Sequence, residues 1–190
     1  MNDIMKVVVS PMCEELLKLL DVNEYIVTKK PDMVPNVDIA ITLSETQTNV
    51  PSIKLKLNTF PQIMESINLI AKYLDIPDIK VKSAKKIIKV SSKWANDELK
   101  QEFVEKNVDI KVKVYSKFLK DTVIDMGYQV VDENYDFIVY PDYIENSINL
   151  PIDNNINIIK IPSHTNVPLN PIKRVAKRYE LLETKLCMKH

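Results

Sequence analysis

Two short stretches, Asp38-Ile39-Ala40-Ile41 and Asp136-Phe137-Ile138-Val139, repeat one pattern of an acidic residue followed by apolar residues in this chain of 190 residues. Each stretch follows a strand pattern and a helical pattern, at residues 6–20 and 111–126. Each is then followed by a further apolar strand pattern and an amphipathic helix. Because the order of elements is the same, the sequence predicts an internal duplication of one α/β unit.

The pattern predicts an α/β fold of two tandem, similar β-α-β-β-β-α units that form two Rossmann-like lobes. The predicted elements are strands 5–10, 24–28, 37–43 and 52–57 with helices 12–21 and 61–75, then strands 110–115, 128–131, 136–140 and 156–161 with helices 117–126 and 171–186. Strands that alternate with helices favour mostly parallel sheets. Apolar residues alternate with lysine at residues 53–57 and 111–114, which indicates edge or half-exposed strands, so we also expect some antiparallel pairing.

We predict the first repeat at residues 1–80 and the second at residues 81–190, with an extra strand and helix inserted at about 84–108. Within this insertion we favour a strand at 86–91 and a helix at 93–106, since Ser92 could cap the helix. One long helix beginning at Ala84 satisfies the same periodicity.

Composition limits the classes of partner. The 26 basic and 26 acidic residues balance, so the net charge gives no strong attraction for nucleic acid. No apolar run reaches the length of a membrane-spanning helix, and the N-terminus does not resemble a secretory signal. The two cysteines are far apart and cannot form a disulfide framework. We therefore expect a cytoplasmic protein with no nucleic-acid partner and no membrane partner.

Gly127 is the only glycine in the chain. Phosphate-binding loops, dinucleotide fingerprints and nucleophile elbows depend on glycine, so their absence predicts no cofactor of these kinds. Gly127 follows a predicted helix, where a left-handed residue commonly ends the helix. We place Asn23 at the corresponding position of the first repeat.

Ligands of open α/β sheets bind beyond the carboxyl ends of the strands. This rule and side-chain chemistry select the candidate ligand-binding residues Ser10, Cys13, Ser44, Thr46, Asn58, Ser116, Asp142, Ser163, His164, Arg174 and Arg178. Short polar side chains at helix starts also serve as caps, and that structural role is the alternative for each of them.

Cys13 and His164 are the two candidates for catalysis. A helix dipole could lower the pKa of the Cys13 thiol, but Glu14 and Glu15 oppose a thiolate. His164 has no suitable second histidine, because His190 is the C-terminal residue. We therefore predict no catalytic set and no metal, and we lean against an enzyme.

Arg174 and Arg178 are the only arginines, and they stand at i and i+4 on the last predicted helix. A guanidinium forms a planar fork for a carboxylate or phosphate, so with Lys173 and Lys177 they could bind an anion or an acidic partner. The alternative, which we favour, is a solvent-facing side whose arginines pair with glutamates of the chain.

The leading hypothesis is a non-enzymatic protein that binds a small polar ligand or a protein partner in the cleft between its repeats. One alternative is a small cytoplasmic transferase or isomerase with its site near Cys13 and His164. Another is a structural subunit of a larger assembly. The apolar stripe of helix 171–186 could extend beyond its own lobe, so we also consider a homodimer.

Overall fold

The computed structural model describes residues 5–151, 156–163 and 167–186. The chain divides into two compact units. The first comprises the chain up to Ser91 together with Leu169–Lys173, and the second comprises Ser92–Pro168 and the chain from Arg174 onward.

The first unit contains a four-stranded parallel sheet in the order β2-β1-β3-β4. Its elements are β1 (Val7–Val9), α1 (Glu14–Leu19), β2 (Ile26–Val27), β3 (Ile39–Leu43), β4 (Ser52–Leu55), α2 (Phe60–Tyr73) and α3 (Asp78–Ser91). The inner strands β1 and β3 are apolar and buried, as expected for strands covered on both faces. Helix α2 begins where the Thr59 hydroxyl accepts a hydrogen bond from the Gln62 N–H, with Pro61 in the first turn.

The second unit contains a parallel sheet of the same design, in the order β6-β5-β7-β8. Its elements are α4 (Asp97–Asn107), β5 (Lys111–Val114), α5 (Lys117–Asp125), β6 (Gln129–Val130), β7 (Phe137–Pro141), β8 (Asn157–Ile161) and most of α6 (Pro171–Leu186). The two sheets therefore confirm the predicted fold class of two tandem Rossmann-like α/β units.

The repeated acidic residues, Asp38 and Asp136, make equivalent hydrogen bonds to the backbone of a neighbouring strand in the two units. The Asp38 carboxylate accepts a hydrogen bond from the Lys6 backbone N–H at 2.6 Å, and Asp136 accepts one from the Lys111 N–H at 3.0 Å. Each aspartate thus fixes the start of an inner strand against its neighbour, which explains why the stretches that predicted the fold begin with an acid.

The expectation of antiparallel pairing is wrong for the described strands, since every strand pair among them is parallel. The alternation of apolar residues with lysine has a different cause in each of the two strands, β4 and β5. Strand β4 lies at the edge of its sheet, where Lys54 is exposed. Strand β5 is central, and its Lys113 ammonium lies 5.1 Å from the Tyr135 ring centroid, so that an aromatic side chain covers the lysine.

The predicted strand at 86–91 is also wrong, because this stretch forms the end of α3. Ala84 and Ile88 are buried at i and i+4, and this spacing provides a helix with its inward face. The insertion is therefore two helices separated by a short 3₁₀ turn, and Ser92 caps that turn by accepting from the Trp94 N–H. The predicted repeat boundary at residue 80 lies inside α3, whereas the compact units part after Ser91.

The left-handed residue that ends α5 is Gly127, with a φ of 90°. Its counterpart after α1 is Asp21, with a φ of 55°, so the placement of Asn23 there is wrong. At both ends the next residue donates its N–H to the carbonyl five residues earlier, as in a Schellman motif. A Cβ on Gly127 would lie 2.7 Å from backbone atoms of Val104, so α4 also requires glycine here.

Within the described ranges, no helix combines the length and the apolar character needed to cross a membrane.

Candidate functional site

The candidate residues of the first unit follow the carboxyl ends of β1, β3 and β4, and local hydrogen bonds engage several of them. These residues are Ser10, Cys13, Ser44, Thr46 and Asn58. The Ser10 hydroxyl donates to the Cys13 sulfur at 3.2 Å, and the Asn58 N–H donates to the side chain of Gln62 at 3.0 Å. The Thr46 carbonyl accepts from the Lys54 ammonium. None of these contacts is a helix cap made by a candidate's side chain, so they do not decide between the structural alternative and a ligand role, which stays a prediction.

Cys13 is fully buried at the start of α1. Burial raises the pKa of its thiol to about 11, an effect that the Ser10 hydrogen bond opposes and the negative charge of Glu45 reinforces. A nucleophilic thiol requires the opposite shift. The helix start therefore does not activate this cysteine, and the alternative of an enzyme built on Cys13 loses its nucleophile.

In the second unit, Asp142 and Ser163 lie just after neighbouring strands β7 and β8. The two side chains are hydrogen-bonded, with the Ser163 hydroxyl as donor and the Asp142 carboxylate as acceptor. Ser163 is buried. Ser116 acts as the cap of α5 by accepting from the Leu119 N–H at 3.3 Å. The remaining candidate, His164, lies outside the described residues.

A pocket lies beyond the carboxyl end of β8, against the first turns of α6. It opens to solvent, and the space in it that a water-sized sphere can occupy is about 20 Å³, a little more than one water molecule needs. Its lining residues are Ile161, Pro162, Val167, Arg174, Lys177 and Arg178. Among the described residues that line it, three are cationic and none is a carboxylate.

Arg178 is buried, with 8% of its surface exposed, so the expectation that it faces solvent is wrong. Its guanidinium lies 4.6 Å from the centroid of the Phe118 ring, which gives the cation an aromatic surface in place of water. Burial, and then the positive charge of Arg174, lower the pKa of Arg178 to about 10. The protein therefore holds a cation where both desolvation and a like charge oppose it.

Arg174 is half-buried, and burial lowers its pKa as well. Its Nε donates to the Pro168 carbonyl at 2.9 Å, which orients the guanidinium. In the described part of the chain, no hydrogen bond or ion pair engages its two Nη groups.

Arg174 and Arg178 were among the candidates predicted from the sequence. Phe118 was not, nor were the lining residues Ile161 and Pro162 at the end of β8. The spacing of residues 174, 177 and 178, at i, i+3 and i+4, is the signal that places three cations on one helix face. Phe118 gave no such signal, because it lies 60 residues away in sequence and only the fold brings it beneath Arg178.

The described residues contain no group of three His, Cys, Asp or Glu side chains arranged to hold a metal ion. This statement does not extend to the two histidines, which both lie outside those residues.

No protein-family model and no curated protein matches this chain. Solved structures do match it. AdcAII of Streptococcus pneumoniae superposes with a TM-score of 0.60 at 12% identity, covering 97% of this chain and 100% of that chain. A mutant of the laminin-binding adhesin Lmb from Streptococcus agalactiae gives 0.58 at 13%, covering 96% and 99%. A metal-free mutant of a periplasmic metal-binding protein from Candidatus Liberibacter asiaticus gives 0.55 at 10%, covering 95% and 99%.

These neighbours define the class of fold, the two-unit α/β architecture also found in bacterial binding proteins. AdcAII has been crystallised with Zn(II), and Lmb is described as having adhesin and metal-transporting activity. At 10–14% identity the likeness shows a common fold and assigns no ligand to this chain.

Proposed function

We propose that this chain is a non-enzymatic binding protein that holds a small polar ligand at the carboxyl edge of its second sheet. The observation that carries the proposal is the pocket beyond β8. Open α/β sheets bind ligands beyond the carboxyl ends of their strands, and this pocket lies at that edge. The originally expected cleft between the repeats stays a prediction.

The Asp142–Ser163 pair supports the same location. Ser163 immediately follows Pro162, a lining residue of the pocket, and its hydroxyl is held by the Asp142 carboxylate. The pair thus places an oriented polar group one residue away from the pocket lining.

The absence of an activated Cys13 favours binding over catalysis. Its raised pKa keeps the thiol protonated at neutral pH, and burial withholds it from a substrate.

A thermal-shift screen of sugars, amino acids, nucleotides and organic acids would first identify a ligand. Calorimetric titration of that ligand into the wild-type chain, Ser163→Ala and Ser44→Ala would then test the location of the binding site. We expect Ser163→Ala to weaken binding about fivefold, the loss of one hydrogen bond of about 1 kcal/mol. Ser44→Ala is the matched control at the edge of the first sheet, and it should bind as the wild type does. Equal affinity of Ser163→Ala and the wild type would contradict the proposed location.

A metal ion is a second candidate ligand, favoured only by what the structural neighbours bind. The described residues offer no set of three conventional ligands for it. Titration of the metal-free chain with Zn²⁺ would decide: a site of submicromolar affinity would favour this candidate, and weak binding of the kind shown by surface carboxylates would exclude it.

We retain cytoplasmic location and a homodimer as proposals. Leu182 and Leu186 of the α6 stripe are fully buried within the chain, so this stripe does not itself require a second subunit. Subcellular fractionation would test the location, and light scattering on the purified chain would give the number of subunits.

A further inference from the structure

We infer that helix α3 of one copy of this chain docks on helix α4 of a second copy, through an apolar and basic stripe on α3 and an acidic stripe on α4. None of the residues that line the pocket beyond β8 belongs to either stripe. The inference therefore goes beyond the proposed function and gives self-association a specific pair of contact surfaces.

Helix α3 carries apolar side chains on its outward face. Its inward face is formed by Ala84 and Ile88, which are fully buried. On the other side, Ile79, Ile87 and Val90 are exposed over 74%, 49% and 79% of their surface. These three positions, at i, i+8 and i+11, form one line along the helix. Single exposed apolar residues are common, but a line of them on the outside of a packed helix is typical of a contact surface.

Lysines flank this line on one side. Lys82 follows Ile79 by three residues and Lys86 precedes Val90 by four, so each lysine neighbours the apolar line, and both are exposed. Within the described ranges, no ion pair or hydrogen bond engages either ammonium group. The α3 stripe, defined as Ile79, Lys82, Lys86, Ile87 and Val90, is therefore complementary to a surface that combines negative charge with an apolar group.

Helix α4 of the same chain presents such a surface. Glu98, Glu102 and Glu105 stand at i, i+4 and i+7, and all three are exposed. Leu99 lies beside them with 49% of its surface exposed. Glu105 accepts a hydrogen bond from Gln101 at 2.9 Å, whereas no described residue pairs with the carboxylates of Glu98 and Glu102. The α4 stripe, defined as Glu98, Leu99, Glu102 and Glu105, thus matches the α3 stripe in chemistry and in the i, i+4 spacing of its charges.

The charge of the whole chain favours a second copy as the partner. A large net charge keeps copies of a protein apart, but the 26 basic and 26 acidic residues of this chain balance. Two copies can therefore approach without long-range repulsion, and the oppositely charged stripes can orient them. An anionic membrane would suit the α3 stripe alone and would give the α4 stripe no role.

The test is sedimentation velocity of the full chain at several concentrations, in low and in high salt. One variant combines Lys82→Glu with Lys86→Glu, which makes both stripes acidic. A second combines Glu98→Lys with Glu102→Lys, which makes both stripes basic. A third carries all four substitutions, so that the stripes exchange their signs while the net charge stays at zero. All four residues are exposed, and circular dichroism would show that each variant is folded.

The matched control combines Lys72→Glu with Lys120→Glu. It changes the net charge by the same amount as the first variant, at exposed lysines of α2 and α5 that belong to neither stripe.

We expect the wild type to self-associate in low salt and to dissociate in high salt, because salt screens the charges of the stripes. Each double reversal at a stripe should raise the dissociation constant about tenfold or more, since like charges then face each other. The variant with all four substitutions should return to within about threefold of the wild type, and the control should associate as the wild type does.

Three results would overturn the inference: a wild type that stays monomeric at about 0.1 mM in low salt, a control that weakens as much as the stripe variants, or a fourfold variant that does not regain association. Binding of a monomeric wild type to phosphatidylserine vesicles, lost on reversal of Lys82 and Lys86, would assign the α3 stripe to a membrane instead. A ligand that depends on Ser163 would remain compatible with each of these results, so the proposed function and this inference can fail separately.

Discussion

At Gly127 the chain needs glycine for two independent reasons, a φ of 90° and the backbone of Val104 at 2.7 Å from any added Cβ. Gly127→Ala should therefore lower the free energy of unfolding by more than about 2 kcal/mol, as left-handed strain adds to a clash that only movement of α4 could relieve. Urea denaturation measures this change.

The matched control is Asp75→Gly, since Asp75 is also left-handed, with a φ of 51°, where it follows α2. Relief of its strain should raise stability by about 0.5 kcal/mol. If Gly127→Ala were as stable as the wild type, the close approach of α4 described here would be incorrect.

Thr42 is a position where substitution should raise the stability of the protein. It is fully buried in β3, and in the described structure its hydroxyl lacks a hydrogen-bond partner. The isosteric Thr42→Val should raise the free energy of unfolding by about 1 kcal/mol, because it removes an unsatisfied polar group without a cavity. A loss of stability in the same denaturation experiment would show that the hydroxyl has a partner, such as a buried water.

Cys13 gives a prediction in pH. Its pKa rises from 9.0 to about 11 on folding, so the folded state retains a proton that the unfolded state loses between these values. The stabilisation is complete below pH 9 and is lost as the pH rises towards 11, at up to about 1.4 kcal/mol per pH unit.

Comparing the wild type with Cys13→Ala isolates this effect. The two proteins share all their tyrosines and lysines, so the contributions of those residues cancel in the difference. The difference in unfolding free energy between the two should be constant below pH 9 and should shrink above it. A constant difference up to pH 11 would contradict the burial of the thiol.

The misplacement of Asn23 shows what single residues do and do not reveal. Residue type favours asparagine over aspartate in the left-handed region. Where the helix ends, however, depends on which leucines are buried, and α1 keeps Leu20 buried immediately before Asp21. That burial comes from the tertiary structure. Residue preference alone therefore placed the left-handed residue at Asn23, two residues after its observed position at Asp21.

Among the elements, α4 and α5 are tied by a partly buried network. The Lys100 ammonium lies 2.5 Å from the Asp125 carboxylate, which also accepts from the Tyr179 hydroxyl of α6. Asp125→Ala should cost about 3 kcal/mol in unfolding free energy, because it leaves a cation and a hydroxyl of low exposure without their acceptor.

Glu14→Ala is the control for this prediction. It removes the carboxylate of an ion pair whose partner, Lys18, is half exposed, and solvent screens such surface pairs so that they contribute little to stability. Similar losses in Asp125→Ala and Glu14→Ala would mean that the network of α4, α5 and α6 does not stabilise the second unit.

Elements were predictable where a local pattern decides them. An acidic residue precedes one inner strand of each sheet and marked β3 and β7, since its hydrogen bond is made within one strand pair. The helical state of residues 86–91 was not predictable, because a short apolar and lysine-rich run suits both a strand and a helix. Burial of Ala84 and Ile88 on one side selects the helix, and that depends on the rest of the unit.

At the scale of the whole molecule, the order of elements placed Asp142 and Ser163 at the carboxyl edge of the second sheet but did not reveal the pocket. Strand ends follow from the order of elements, so Asp142 and Ser163 were found by rule. The character of the pocket comes instead from Arg178, whose burial over Phe118 depends on contacts between distant segments. The preference for a solvent-facing helix side was therefore reasonable from sequence and wrong in the structure.

The central claim is that this chain binds a small polar ligand at the pocket beyond β8. Native mass spectrometry of the freshly purified chain tests this claim most directly. We predict a mass above that of the polypeptide by a small polar molecule, with markedly less retained by Ser163→Ala than by Ser44→Ala. A bound zinc ion in place of that molecule, or equal retention by the two variants, would contradict the account.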